Sequence, residues 1–488
     1  MNQLWPGICF LISLGCLSYI AWRFMRRQDF KKALLFVIII AAILRIIGST
    51  DSHLHAWDER YHALVAKNLM QHPLTPTLHE HPVLEFDNDN WVGSNIWVGK
   101  PSLPLWIMSG SMAIFGNNLI AVRLPSILLG LLAVWLTFLI GRKLFDERIA
   151  LLAAYFHAIN GLVIELIGGR VSSDHVEVCF IVMVEISIYL IVLNLKPKPS
   201  LKLSFFAGVF MGLAFLSKWY PALIVLPVWL SFLLTYGKFN WGVFFKQGAL
   251  IIAGFSITAL PWVLYMLSAF PEEMNAILFN ALSAYSETEG GHVAPFYYYF
   301  HKVLVIFNEL FYLAFGFFIY RLFKTEKRTA YLGLLVWILV PMFIFSMAET
   351  KRQTYLLISA PAFFLVVSWF WFYIRDFFLN ARYKIINGIL LVAMIGLPVR
   401  YMIERSKIFG GDQRIAEFYT YSPEKLAILD DKTIVFGTDD YVEIMFHTDV
   451  YAAYRKIPTD EKMTDLAAEG FKILILENKQ FIPFQPKQ

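Results

Sequence analysis

Residues 35–62 read LFVIIIAAILRIIGSTDSHLHAWDERYH, an apolar run that stops at Ser49 and gives way at once to polar, acid-bearing chain. Taken back to Lys31, the run reaches the roughly 20 residues that a helix needs to cross a hydrocarbon core. The same alternation repeats along 488 residues that are 58% hydrophobic and only 16% charged, with 44 Phe and 14 Trp. A water-soluble globule could not cover that much apolar surface, so the bilayer is the expected solvent.

Counting outward from this run gives about twelve spans: 4–22, 31–49, 120–140, 149–167, 174–194, 203–217, 219–236, 247–267, 302–320, 329–347, 354–374 and 384–402. The two around Lys218 are short enough to form one broken hairpin. The first run, Trp5 to Trp22, has no basic segment before it and carries Arg23, Arg26 and Arg27 after it. It reads as a retained helix, not a signal peptide.

Basic residues gather in alternate loops: Arg26, Arg27, Lys31 and Lys32; Arg142, Lys143 and Arg148; Lys196, Lys198 and Lys202; Lys238 and Lys246; Arg321, Lys324, Lys327 and Arg328; Arg375, Arg382 and Lys384. The positive-inside rule places these in the cytoplasm. The opposite, outward face then receives the long loop 49–118, the turns near 168–174, Lys218 and 349–352, the loop 268–301, and everything after Met402. Clusters scattered between spans do not make the continuous basic face of a nucleic-acid binder, despite the net charge of +5. Cys9, Cys16 and Cys179 sit inside apolar runs and show neither disulfide nor metal-type spacing.

After Met402 the composition turns mixed. Short apolar runs such as 433–436 and 472–476, bounded by Gly, Asp or Asn, predict buried strands of a small α/β domain over 403–488. The expected architecture is an all-α polytopic membrane domain over 1–402, with interfacial helices on its outer face, and this second, soluble domain.

Chemistry-bearing residues concentrate on the outward side. Asp58 and Glu59 open a stretch to about Met70 with helical apolar spacing, predicted to lie on the membrane surface. Adjacent carboxylates at a helix start also serve the helix macrodipole, so the pair by itself has a purely structural explanation. Lys100 precedes Pro101 and Pro104, and Arg170 with Asp174, Lys218, and Lys351 with Arg352 beside Tyr355 bring charge to other outward turns. Any one such cation can snorkel. Several of them facing two acids on the face where topology disfavours Lys and Arg call for an anionic ligand, such as a lipid-linked phosphate.

These pieces, in this order from Leu35 to Phe364, resemble the GT-C class of membrane glycosyltransferases, above all the lipid A aminoarabinose transferases and the protein O-mannosyltransferases. The pieces that match are Asp58-Glu59, Gly99-Lys100-Pro101 with Trp106, Arg170 to Asp174, Leu216-Ser217-Lys218, and Ser346 to Tyr355. The chain departs by having two helices before the acidic loop where the family has one, by reading Lys100-Pro101-Ser102 where the family has Lys-Pro-Pro, and by placing Arg60 directly after the acidic pair, a register at odds with the family's arginine.

The resemblance implies an inverting transfer from a polyprenyl phosphate sugar to a hydroxyl of a lipid A, glycolipid or protein acceptor, on the periplasmic face of a bacterial inner membrane. Asp58 would be the base, with Glu59 orienting the acceptor, positioning Asp58 or binding a cation. Arg60, Lys100, Arg170, Lys218, Lys351, Arg352 and Tyr355 would bind substrate, and Asp174 would hold Arg170 or touch the acceptor. No cofactor is required, although His79-Glu80-His81 supplies ligand types for a divalent metal. Glu287, Glu289, Gly290 and Gly291 suggest a lid. Glu165, Glu177 and Glu185, inside apolar runs, keep a secondary transporter as the rival class, and a noncatalytic assembly protein is the third reading.

Overall fold

A computed structural model describes residues 4–86, 95–276, 292–325, 328–377, 384–410 and 415–485. Asp87 and Asp89 of the first outward loop and the lid residues Glu287 to Gly291 lie outside the described residues.

Among the described residues, eight helices are long and apolar enough to cross a membrane. The number is ten if each of two bent pairs is a single span: Glu147–Ala158 with Gly161–Ile167, bent by 53°, and Tyr298–Ile306 with Phe311–Lys324, bent by 100°. The chain is therefore a multi-pass membrane protein. Two of the twelve expected spans fall outside that count. Phe30–Gly48 is helical over its predicted length but carries Lys31, Lys32 and Arg45, and the segment after Lys218 is divided into the 3-10 turn Tyr220–Ile224 and the short helix Val225–Thr235.

Each bent pair breaks at an asparagine. Asn160 accepts from the Val163 N–H at 3.0 Å and donates to the Ile306 carbonyl at 2.6 Å. Asn308 accepts from the Leu310 N–H at 3.0 Å and donates to the Met394 carbonyl at 2.9 Å. Backbone groups freed inside a bilayer have to be satisfied by protein, and a caps-and-crosslinks residue does this at both bends. Helices Leu201–Lys218 and Trp241–Ala269 pack backbone to backbone where Gly208 and Gly254 face Ile251 and Phe205, leaving no room for a Cβ.

The C-terminal unit has four strands: β1 (Thr433–Phe436), β2 (Ala452–Tyr454), β3 (Lys472–Glu477) and β4 (Gln480–Pro483). Their order is β2-β1-β3-β4, with β1 parallel to β2 and β3, and β4 antiparallel on the edge. This α/β sheet matches the fold expected from the short apolar runs. It does not stand apart, because Val435, Val442, Ile444 and Phe446 share one buried cluster with Leu64, Val65, Leu69 and Leu105 of the outward loop.

Helix Asp58–Asn68 was expected on the membrane surface. Instead it is sandwiched between the spans and the C-terminal unit, and only Arg60 and Lys67 within it escape full burial. Lys67 Nζ donates to the Met445, Phe446 and Thr448 carbonyls at 2.7, 3.2 and 3.2 Å, closing the C-terminus of helix Tyr441–His447.

Candidate active site

Asp58 and Glu59, adjacent in sequence, meet opposite surroundings. Glu59 is completely buried. It accepts a bidentate pair from Arg123, Nε at 2.7 Å and Nη2 at 3.0 Å, together with the His55 N–H at 2.7 Å and a 3.2 Å contact from His175 Nε2. Burial alone would raise its pKa, but the Arg123 charge and the hydrogen bonds from His175 and Arg123 hold it well below the usual carboxylate range. Arg123 also donates to the Ser49, Asp51 and His53 carbonyls, at 3.1, 2.5 and 2.6 Å. Glu59 thus pins the loop to the spans, with both of its oxygens taken up by protein donors.

Gly169 backs onto this carboxylate at φ 76°, where a Cβ would overlap the Glu59 carboxyl group. We expect Gly169→Ala to lower stability by more than the roughly 1–2 kcal/mol of a left-handed L-residue. A fall in melting temperature of the detergent-solubilised protein checks this.

Asp58 keeps 11% of its side chain accessible. Its Oδ2 accepts the Ser173 N–H at 2.8 Å and lies 4.0 Å from Arg352 Nη1. Burial by itself would raise its pKa, yet Lys100, His62, the Ser173 N–H and Arg352 together pull it below the ordinary value. It is therefore ionised at neutral pH.

Lys100, half-buried, makes no hydrogen bond or ion pair with any described residue, and it acts electrostatically on both Asp58 and Lys218, as does Arg352. Lys218 pairs with Glu177, and its ammonium stands 4.3 Å from the centre of the Tyr355 ring. Four chain segments far apart in sequence thus bring Asp58, Lys100, Lys218, Arg352 and Tyr355 into one cluster.

Other expected members are used elsewhere. Arg60 pairs with Glu443 at 3.2 Å and covers the Tyr61 ring at 4.9 Å, so it fastens the C-terminal unit to the helix. Arg170 donates to Asp51 Oδ2 at 2.8 Å and to the Arg405 carbonyl at 3.2 Å, with 3% of its side chain exposed. Lys351 is buried, with its ammonium on the Ala348 carbonyl. Asp174 holds His62, not Arg170, at 2.8 and 3.0 Å.

His79 and His81 are both packed against the C-terminal unit. His79 Nε2 bonds the Ala453 carbonyl at 3.0 Å while its ring stacks on Tyr454, and burial pushes its pKa down to about 4. His81 stacks on Tyr451. Among the described residues no three His, Cys, Asp or Glu side chains gather as metal ligands.

Arg123, His175, Ser173 and His62 carry no signal in the sequence pattern that marks them as partners of the acidic pair. Arg123 and His175 sit inside apolar runs, where the buried acids were noticed and the basic partners of the loop were not. Ser173 acts through its backbone, which no side-chain pattern reveals.

The profile of the dolichyl-phosphate-mannose-protein mannosyltransferase family matches residues 99–265. The apo crystal structure of ArnT from Cupriavidus metallidurans superposes with a TM-score of 0.68, covering 91% of this chain and 92% of that one at 14% identity. The fold is that of the GT-C glycosyltransferases.

The archaeal oligosaccharyltransferase AglB from Archaeoglobus fulgidus shares this GT-C fold, with a TM-score of 0.56 over 91% of this chain and 69% of that one, also at 14% identity. A curated relative, the undecaprenyl phosphate-alpha-4-amino-4-deoxy-L-arabinose arabinosyl transferase 1 of Pseudomonas fluorescens (strain Pf0-1), is 26% identical over 282 residues, 55% of this chain and 48% of that protein. The match spans about half the length of such curated relatives. The cluster around Asp58 includes Lys218 at one end of helix Leu201–Lys218, and Lys198 and Lys202 mark the other end.

Proposed function

We propose that this protein transfers a sugar, with inversion, from a polyprenyl phosphate donor to a hydroxyl of a lipid, glycan or protein acceptor, on the outer face of a bacterial inner membrane. The observation that carries the reading is one ionised, partly accessible carboxylate facing Lys100 and Arg352, the same two cations that act on Lys218. The names of the curated relatives support undecaprenyl phosphate-linked aminoarabinose as the first donor to test.

Asp58 takes the proton from the acceptor hydroxyl as that oxygen attacks the anomeric carbon from the face opposite the phosphate. Negative charge builds on the departing lipid phosphate, where fixed cations lower the barrier without reorganising. Lys100, which has no partner among the described residues, is the cation freest to meet that phosphate. Lys218 and Arg352 stand behind it, and Tyr355 fixes the Lys218 ammonium. Membrane lipids supply both the solvent and the donor's anchor.

The test is sugar transfer in nanodiscs from a panel of radiolabelled polyprenyl phosphate sugars, with release of polyprenyl phosphate followed alongside. Turnover with one donor is expected, and Lys100→Ala is expected to lower kcat/KM by about 10²-fold. No turnover with any donor would sink the reading.

The transporter alternative rested on acids inside the spans. Glu165 is ion-paired with Arg405 and Glu177 with Lys218, while Glu185 lies in the field of Arg45. The two pairs tie helices together, a structural rationale for Glu165 and Glu177, whereas neither Glu185 oxygen has a hydrogen-bond partner among the described residues.

A further inference from the structure

From Ile186 to Pro271 the chain carries six lysines and no Asp or Glu. Lys218 is paired with Glu177 beside the cluster around Asp58. The others, Lys196, Lys198, Lys202, Lys238 and Lys246, are exposed and make no side-chain hydrogen bond or ion pair with any described residue. They belong to two of the loops that the positive-inside rule assigns to the cytoplasm, and to the first turns of the helices that follow them, Leu201–Lys218 and Trp241–Ala269.

A cavity of about 570 Å³ opens between these segments, a volume in the range of small-ligand sites. Lys196 and Lys238 stand at its mouth, Ile191, Trp229, Phe232 and Ile251 form its apolar floor, and among the described residues no acidic side chain lines it. It is separate from the site around Asp58. Ser204 on its wall and Lys218 stand near opposite ends of one helix, roughly 20 Å apart at the rise of an α-helix.

The mouth lies at the level of the membrane interface. Trp241 and Phe245, 65% and 63% exposed, occupy the first turns of helix Trp241–Ala269, and Phe244 between them stacks on the Trp229 ring at 5.4 Å. Aromatic side chains gathered at a helix end mark the boundary between hydrocarbon and water. Nearly two turns deeper along the same helix, Gln247 also lines the cavity and is 6% exposed. Its Oε1 accepts the Trp229 Nε1–H at 3.0 Å, which fixes the amide's orientation and leaves Nε2, bonded to no described residue, as a donor for an occupant.

We propose that this cavity binds an anionic phospholipid, with Lys196 and Lys238 on the headgroup phosphate, Gln247 Nε2 donating to an ester carbonyl beneath it, and the acyl chains against the apolar floor. Basic pockets between spans at the cytoplasmic level suit such headgroups. A soluble anion would leave the floor without a partner, and a polyprenyl phosphate has no ester carbonyl to offer Gln247. The lipid would bridge the ends of helices Asp174–Leu193, Leu201–Lys218 and Trp241–Ala269, a surface that only the folded chain presents, so binding stabilises the fold.

The test offers the detergent-solubilised full chain phosphatidylglycerol or phosphatidylcholine at equal mole fraction and counts bound lipid by native mass spectrometry beside a thermal melt. Phosphatidylglycerol is expected to be retained in preference and to raise the melting temperature, whereas phosphatidylcholine does not. Lys196→Ala with Lys238→Ala, both at exposed positions, is expected to lower phosphatidylglycerol retention by about tenfold or more and to abolish the thermal shift. Arg27→Ala with Lys31→Ala, which takes the same charge from another basic loop, is expected to leave both as in wild type. Gln247→Glu keeps an acceptor for Trp229 but loses the donor, and it too is expected to lower retention. Equal retention of the two lipids by wild type, equal losses in the two charge variants, or unchanged retention in Gln247→Glu overturns the proposal. So does displacement of phosphatidylglycerol by inorganic phosphate, or preferential retention of a polyprenyl phosphate, since either gives the cavity to a different ligand.

Discussion

Asp58→Asn is expected to cut sugar transfer by roughly 10²–10⁴-fold, the usual worth of a positioned general base, while leaving the protein folded. The amide has the shape of the carboxylate, and its oxygen still accepts the Ser173 N–H now made at 2.8 Å. The melting temperature should therefore hold, and polyprenyl phosphate donors should still bind, because Lys100, Lys218 and Arg352 are untouched. Asp58→Glu should also be slow. Its carboxylate is displaced by about one methylene, and misplacement of about 1 Å can cost 10²-fold. Radiolabelled transfer beside a thermal melt decides both, and an Asp58→Asn variant at wild-type rate would leave the noncatalytic reading standing.

Glu59→Ala is expected to fail differently, through folding. It would leave Arg123, 2% exposed as a side chain, as an uncompensated buried cation, at a cost of about 3–5 kcal/mol. Total stabilities of about 5–15 kcal/mol make that a large fraction. The expected result is loss of monodisperse protein on size exclusion and a steep fall in melting temperature. The double replacement Glu59→Gln with Arg123→Met removes both charges and should recover much of the loss, since an apolar substitute for a buried pair is often close to neutral. A Glu59→Ala protein as stable as wild type would show that the loop is held by something other than this pair.

These two results would separate neighbours that the sequence could not. Both acids stand at a helix start and answer to the same motif, and the resemblance to GT-C enzymes, which favoured Asp58 as the base, still gave Glu59 a supporting place in the site. What distinguishes them is which side of a helix each faces. Asp58 turns toward the gap holding Lys100 and Arg352, and Glu59 turns toward Arg123 on the span Leu119–Leu144.

The same division runs through the cations. Arg60, Arg170 and Lys351 have the right side chain at the right topological level, yet Glu443, Asp51 and the Ala348 carbonyl consume them. Lys100 and Arg352 look no different in sequence and are left facing Asp58. Of the partners that decide this, Asp51 lies in the outward loop before the helix, and Glu443 lies in the C-terminal unit, to which the sequence assigns no part in the site.

The sequence by itself determined the solvent, the multi-pass helical architecture and the α/β character of the C-terminal unit. Those properties are written in local composition and period: a run of about 20 apolar residues has only one stable fate in a bilayer. Only the tertiary structure decided which charges are paired and which are free. Pairing depends on contacts between segments 64 to 383 residues apart, as for Arg123 with Glu59 and Arg60 with Glu443, and a buried charge is defined by its partner and not by its neighbours in sequence.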